Sequence, residues 1–368
     1  MKCIVLKIGS NIIASPISES GLDMERIYSI ARDVSDVMNH GYSFVIVSSG
    51  AVAAGKKKLG IKKNEMDIKL KQAAAAAGQS SLVNAYEMSF REYNKRVAQI
   101  LLTADDISER KRYINARNTM MTLLEMGVVP IVNENDTVAF EEIKFGDNDN
   151  LAAIVSGLID ADMLVILSDV EGLYTCDPKK DSSAELIKEV EHIDKNIESM
   201  AGSSLSTYGT GGMYSKLLSA KKANMYGIGV VIMSGRVSGL LKRRIIYKEE
   251  VGTYFKPKGT KLSLRKRWLT HGLRDRGSIY IDRGAVEAIV KKKKSLLPSG
   301  IVGVSGDFGV GDLVSCVTED GLVVAKGLTN YSSSDIDKIK GCKSSDIEEI
   351  LGFKYADEVI HRDNLVVL

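Results

Sequence analysis

Four cysteines, four histidines and one tryptophan are all that the 368 residues contain of these types. Cys3, Cys176, Cys316 and Cys342 lie far apart and form no CxxC pair. Buried free thiols in a reducing cytosol are a plainer reading of them than a disulfide framework. His40, His192, His271 and His361 are equally dispersed, no two at zinc-ligand spacing, so no metal site is expected. No apolar run approaches the roughly 18 residues of a membrane span. The first apolar stretch, 3–8, is interrupted by Lys7 and followed by Gly9-Ser10-Asn11, too short and too polar for a signal-peptide core. A cytoplasmic protein is the expectation. Net charge is small as well: 50 Lys and Arg stand against 47 Asp and Glu, a formal +3. With 44% hydrophobic and 26% charged residues the chain has the composition of a folded protein and lacks the signature of disorder. Its length suits two or three domains with a large core.

What charge there is lies unevenly. Residues 254–294 hold thirteen Lys and Arg against three acidic residues, Asp275, Asp282 and Glu287, so the remainder is acidic on balance. Such a shift marks a composition boundary, placed where turn residues cluster, from Lys256-Pro257-Lys258-Gly259 to His271-Gly272. Before it, short apolar segments (3–8, 43–47, 97–102, 128–132, 163–167, 229–233) alternate with helical stretches (24–39, 68–90, 113–126, 150–159, 216–225). This alternation predicts an α/β domain with an open, mostly parallel sheet. Polar loops follow several strand ends, which is where such sheets bind ligands. After the boundary, strands at 278–281, 300–304, 313–317 and 322–327 with Gly-rich turns, and helices at 284–290 and 334–339, predict a small, mostly β domain.

Two phosphate-binding patterns fail on inspection. Gly50-Ala51-Val52-Ala53-Ala54-Gly55-Lys56-Lys57 follows a strand, but a P-loop needs Ser or Thr where Lys57 stands, and its apolar centre suits a helix start. Gly209-Thr210-Gly211-Gly212-Met213-Tyr214 ends in Tyr where the dinucleotide fingerprint needs a small residue. A looser set fits nucleotide chemistry better. Lys7-Ile8-Gly9-Ser10 closes the first strand with a cation and a turn whose amides can meet a phosphate. Ser49-Gly50-Ala51 closes the second in the same way. Gly209–Gly212 is a flexible loop before Met213-Tyr214-Ser215-Lys216 opens a helix, able to fold over phosphates and deliver Lys216. Each feature alone is more often a surface lysine or an ordinary turn; their placement after successive strands raises the weight of the set.

The most unusual segments are Asn133-Glu134-Asn135-Asp136 and Gly146-Asp147-Asn148-Asp149-Asn150. They read either as Asx-rich surface turns or as a site for a small polar substrate, with carboxylates for an ammonium and amides for carboxylates or hydroxyls. A calcium loop is excluded by spacing and by the missing closing Glu.

Taken in order, Lys7-x-Gly9-Ser10, Ser49-Gly50-Ala51, the two Asn/Asp segments, Ser168-Asp169 and Gly209-Thr210-Gly211-Gly212-Met213 closely resemble the amino acid kinase superfamily, in particular its members that phosphorylate glutamate. Leu296-Leu297-Pro298-Ser299-Gly300 and its surroundings resemble the PUA domain that many of these kinases carry. The resemblance covers nearly the whole chain. It implies an amino acid kinase domain over 1–258, binding ATP and glutamate, and a PUA domain with a C-terminal tail over 274–368. It implies ATP, with Mg²⁺ carried on the nucleotide, as co-substrate. The implied reaction is phosphorylation of the side-chain carboxylate of L-glutamate to L-glutamyl 5-phosphate, the first step of proline biosynthesis. Proline as a feedback inhibitor, a homo-oligomer and a downstream glutamyl phosphate reductase are implied with it. Residue by residue, the resemblance gives Lys7, Lys216, Asp149, Gly9 and Gly50 to the transferring phosphoryl group, with Asp149 orienting the two lysines. The nucleotide takes Lys7, Ser168, Asp169, Thr210, Gly211, Gly212, Met213, Tyr214, Ser215 and Lys216. Glutamate takes Ser49, Asp136 and Asn148, with Asn133 and Asp147 nearby. Ser168 stands where many members have Thr, and the hydroxyl is kept.

Elementary chemistry agrees. A glutamate side chain, with a reference pKa of about 4.3, is already a nucleophile at neutral pH. It needs no general base, so the lack of a His or Cys constellation is no obstacle. Two other readings stay open at this stage. One is a related kinase for N-acetylglutamate, aspartate, carbamate or a nucleotide. The other is an RNA-binding regulator using the basic segment. That segment is poor in aromatics, with Tyr254, Phe255, Trp268 and Tyr280, so a stacking platform for RNA is weak.

Overall fold

A computed structural model describes residues 2–62, 66–138, 147–178, 180–201, 212–257, 259 and 275–368. The backbone divides into two compact units, 1–108 with 115–261 and 109–114 with 262–368. The expected linker and Trp268 fall largely outside the described residues, as do Thr210, Gly211 and Gly146.

Among the described residues the first unit carries an eight-stranded sheet of β1 (Lys2–Ile8), β2 (Tyr42–Ser48), β3 (Arg96–Leu102), β4 (Val128–Glu134), β5 (Met163–Ser168), β6 (Glu189–Val190), β7 (Gly229–Ser234) and β8 (Thr253–Phe255). The order is β3-β4-β2-β1-β5-β7-β8-β6. The strands from β3 to β7 are parallel; β8 turns antiparallel to β7, and β6 runs parallel to β8. Between the strands come α1 (Ser10–Ile13), α2 (Met24–Met38), α3 (Ala51–Lys58), α4 (Ile68–Arg91), α5 (Ala104–Ser108), α6 (Arg110–Glu125), α7 (Asn148–Leu158), α8 (Lys195–Met200), α9 (Met213–Met225) and α10 (Leu240–Ile245). The chain builds from β1 towards β2, then crosses after β4 to β5 on the other side. This places the topological switch between β1 and β5, where ligands of open α/β sheets bind.

The central strands are near-continuous apolar runs because both faces of a parallel sheet are covered. In β1, Ile4, Leu6 and Ile8 join Phe44 and Ile46 in the core shared with α2, α3, α4 and α10. The two-residue period therefore sends Val5 and Lys7 to the opposite face, where α7 lies against β1 and α9 against α7. A lysine inside a buried strand thus meets the first turn of a helix instead of solvent.

The second unit has a five-stranded sheet of β9 (Gly277–Ile281), β10 (Ile301–Gly306), β11 (Leu313–Thr318), β12 (Val323–Leu328) and β13 (Leu365–Val367), in the order β10-β9-β11-β12-β13. All its pairs are antiparallel except β9 with β11. Ile279, Ile281, Val314 and Cys316 pack with Ile289 of α11 (Arg283–Val290) and with Ile336 and Ile339 of α12 (Ser333–Ile339). A capping box of Ser332 and Asp335 starts α12. Lys291–Lys294 are exposed just past the end of α11.

Each predicted element recurs to within a few residues, but α1, α5, α8 and α10 were not predicted, being only four to six residues long. Helix α9 begins at Met213, where Met213-Tyr214-Ser215-Lys216 predicts a helix start, three residues ahead of the 216–225 stretch. β6, β8 and β13 were not legible, because two or three residues carry no periodicity. None of the four cysteines forms a disulfide, and of the four Cys316 alone is buried, where buried thiols were expected throughout; Cys3, Cys176 and Cys342 are partly exposed. Among the described residues no helix is long and apolar enough to cross a membrane.

One contact sets the geometry beside the switch point. Helices α3 and α4 cross with backbones touching: a Cβ on Gly55 would lie 1.6 Å from the Ala74 carbonyl oxygen, and one on Gly78 would lie 1.9 Å from that of Ala51. The alanine run of α4 and these two glycines make the approach possible. Since the clash is with backbone, Gly55→Ala forces the helices apart. It is expected to lower stability by about 3 kcal/mol, read as a drop in the urea midpoint at unchanged m-value; a midpoint within error of wild type would contradict the crossing.

Candidate active site

Asp149 is completely buried, one residue into α7. Lys7 Nζ, from the end of β1, lies 2.6 Å from its Oδ1, and Lys216 Nζ, from the first turn of α9, lies 3.2 Å from its Oδ2. Ser215 donates to the same Oδ2 at 3.2 Å. The Lys7 contact is a close ion pair, and it is what holds Oδ1. Burial pushes the Asp149 carboxyl up, but the two lysine charges and their contacts outweigh it and hold the pKa below the ordinary carboxylate value. The N-terminus of α7 also favours a carboxylate in its first turn. Both lysines are themselves nearly buried. Together the three side chains carry one surplus positive charge, which suits an anion from outside.

That charge borders a cavity of about 340 Å³ at the carboxyl ends of β4, β2, β1 and β5. Lys7, Gly9, Ser49, Gly50, Asn133, Asp136, Asp147, Asn148, Ser168, Asp169 and Lys216 all line it. The residues picked from separate sequence segments thus meet at one place. Gly50 precedes α3 at φ +109°, a left-handed conformation that glycine takes without strain. A Cβ on Gly9 would stand 3.3 Å from Lys7 Nζ, so glycine leaves room above the lysine.

On the β4 side the cavity wall is a run of amides. Asn148 Nδ2 donates to the Ser48 carbonyl at 3.1 Å, the Ser49 hydroxyl at 3.0 Å and Asn133 Oδ1 at 2.9 Å. Asn133 Nδ2 in turn donates to Gln79 Oε1 at 2.9 Å. Asp147 caps α7, its Oδ1 accepting from the Asn150 amide at 2.9 Å. Below this wall the Ser48 hydroxyl donates to the Ser49 carbonyl at 3.0 Å and meets Tyr86 at 2.8 Å; burial pushes the Tyr86 phenol up, so it stays neutral.

On the β5 side, Ser168 is buried at the strand end and donates to the exposed Asp169 at 3.3 Å. Gly212 precedes α9, and Met213, Tyr214 and Ser215 follow it in the first turn, outside the cavity lining. Thr210 and Gly211 lie outside the described residues. Gln79 escaped the sequence reading; a glutamine in an alanine-rich helix carries no motif. Glu134, Asn11 and Ile12 also line the cavity. Among the described residues no three His, Cys, Asp or Glu side chains form a metal-binding group.

The amino acid kinase family model matches residues 2–234, and the PUA domain model matches residues 277–351. The chain is 49% identical over 367 residues to glutamate 5-kinase of Syntrophotalea carbinolica, covering 100% of this chain and 97% of that protein. It is 49% identical over 368 residues to glutamate 5-kinase of Geobacter sulfurreducens, covering 100% and 98%. Among solved structures it is similar in fold to an isopentenyl phosphate kinase, with TM-score 0.50 and 18% identity over 69% of this chain and 100% of that one.

The ion triad has a pH signature. Asp149 takes up its proton at lower pH in the folded chain than in the unfolded one. Its contribution is therefore complete above the ordinary carboxylate range and disappears as the pH falls through the lowered native value. Asp149→Asn removes the carboxylate that the two buried ammoniums share and is expected to destabilise by about 3–5 kcal/mol at neutral pH. That gap to wild type should close on acidification. Denaturant midpoints of both proteins from neutral to acid pH check it, and a gap that stays constant into strong acid would refute the assignment.

Proposed function

The chain belongs to the amino acid kinase family, and within it to the glutamate 5-kinases, and from that membership we propose how its residues share the work. The reaction is phosphorylation of the side-chain carboxylate of L-glutamate by ATP, which gives L-glutamyl 5-phosphate and begins proline biosynthesis. A carboxylate oxygen forms a bond to the γ-phosphorus while the bond from that phosphorus to the bridging oxygen of ADP breaks. No proton has to move, since the nucleophile is ionised at neutral pH. The demand on the protein is in-line positioning and stabilisation of charge on the transferring group.

The observation that carries this reading is the pair of buried lysines on one buried carboxylate at the cavity wall. Lys7 and Lys216 meet the oxygens of the transferring phosphoryl group, and the amides of Gly9 and Gly50 add donors. Asp149 touches neither substrate; it holds the two ammoniums a fixed distance apart. Ser168, Asp169 and the segment from Thr210 to Lys216 take the nucleotide, which brings Mg²⁺ as the counter-ion of its phosphates. Ser49, Asn133, Asp136, Asp147 and Asn148 take glutamate, the carboxylate of Asp136 suiting its ammonium. The kinase chemistry belongs to 1–258, and the PUA region, 274–368, serves a structural or regulatory role. Proline, which shares the α-amino-acid group, competes at the glutamate subsite. The acyl phosphate is labile, so a reductase that consumes it is the expected partner, and the kinase acts as a homo-oligomer.

Glutamate-dependent ADP release in the presence of hydroxylamine tests the assignment, because an acyl phosphate is trapped as the hydroxamate. Lys216→Ala is expected to lose about 10²–10³ in kcat. Proline should inhibit competitively with glutamate. Turnover with aspartate or N-acetylglutamate in place of glutamate, or an unimpaired Lys216→Ala, would overturn the corresponding part.

A further inference from the structure

The amide wall has a direction that can be derived. The Ser48 carbonyl can only accept, so the nitrogen of Asn148 must face it. The same nitrogen also faces Asn133, which must therefore present its oxygen. That turns the Asn133 nitrogen towards Gln79, which must present its oxygen in turn. The run is therefore held in one polarity from both ends, by the Ser48 carbonyl at Asn148 and by Gln79 Oε1 at Asn133. Two ends are left over. At the blind end, Gln79 Nε2 is buried without a partner among the described residues. At the open end stands Asn148 Oδ1, an acceptor on a residue that lines the cavity.

We infer that Gln79 is a positioning residue for substrate specificity: through Asn133 it locks Asn148 with its carbonyl oxygen towards the cavity, as the acceptor for the α-ammonium of glutamate. This rests on the assignment of Asn148 to the glutamate subsite. Gln79 is 8% exposed and does not line the cavity. Packing alone does not explain a glutamine there. A leucine or methionine would fill the space without a buried donor that nothing accepts, and such an orphan is costly. What the glutamine supplies in return is Oε1, the acceptor that keeps Asn133 from rotating by half a turn. Its reach follows from the neighbouring Gly78, whose contact with the backbone of α3 brings α4 up to the Ser49–Ala51 turn.

Gln79→Met keeps the volume and removes the acceptor. It is expected to raise the KM for glutamate roughly tenfold, the loss of one oriented hydrogen bond, with the KM for ATP, kcat and the thermal midpoint close to wild type. Preference for glutamate over glutarate, which lacks the amino group, should fall by the same factor. Gln79→Glu, which retains an acceptor towards Asn133, should restore both. The decisive arm is a double-mutant cycle: in an Asn148→Ala background, Gln79→Met should add nothing. An unchanged glutamate KM in Gln79→Met, losses that add to those of Asn148→Ala, or equal damage to ATP and glutamate kinetics with a lowered midpoint would each overturn the inference. If Asn148→Ala itself leaves the glutamate KM unchanged, the subsite assignment falls first and this inference with it.

Discussion

A buried carboxylate between two buried ammoniums is the constraint on which the site depends. Such a group is a poor way to stabilise a fold, because desolvating three charges costs about as much as their attraction returns. Here the count is also unbalanced, two cations to one anion. The arrangement makes sense where a second anion arrives from outside. The triad further ties three elements to one point: the end of β1, the start of α7 and the start of α9. Moving any of the three separates charges that are paired at 2.6 and 3.2 Å.

The start of α7 serves two halves of the cavity at once. Asp147 caps the helix, Asn148 faces the amide wall and Asp149 faces the lysines. Successive residues of a helix are about 100° apart, so adjacent positions naturally address different surroundings. One side is rich in cations and donors, the other in carboxylates and amides. A nucleotide and an amino acid have complementary needs, and the helix start lies where the two would meet. The cap at Asp147 is therefore more than an end signal, since it sets the rotation of both residues that follow.

The chain was unusually readable where the physics is local. Near-continuous apolar runs such as 3–8 and 229–233 announced buried parallel strands, and Gly and Asx clusters marked the loops after them. The residues of the site were readable because their combination is rare: a lysine at the end of a buried strand, two Asn/Asp clusters, and a Gly-rich turn before a second lysine. Less readable was anything that depends on a partner. β8 and β6 exist only through pairing with β7 and with each other. Gln79 was invisible, because its importance comes from Asn133, 54 positions away in sequence.

By itself the amino-acid sequence determined the alternation of strand and helix, the division into an α/β part and a mostly β part, and the identity of the groups available for chemistry. Those follow from periodicity, turn propensity and ionisation, which are properties of short segments. The tertiary structure alone decided that Lys7 and Lys216 share one carboxylate, and that Asn148, Asn133 and Gln79 are joined in one run of amide hydrogen bonds. Those outcomes depend on charge pairing and hydrogen-bond polarity between segments, which exist only once the strand order has brought the segments together.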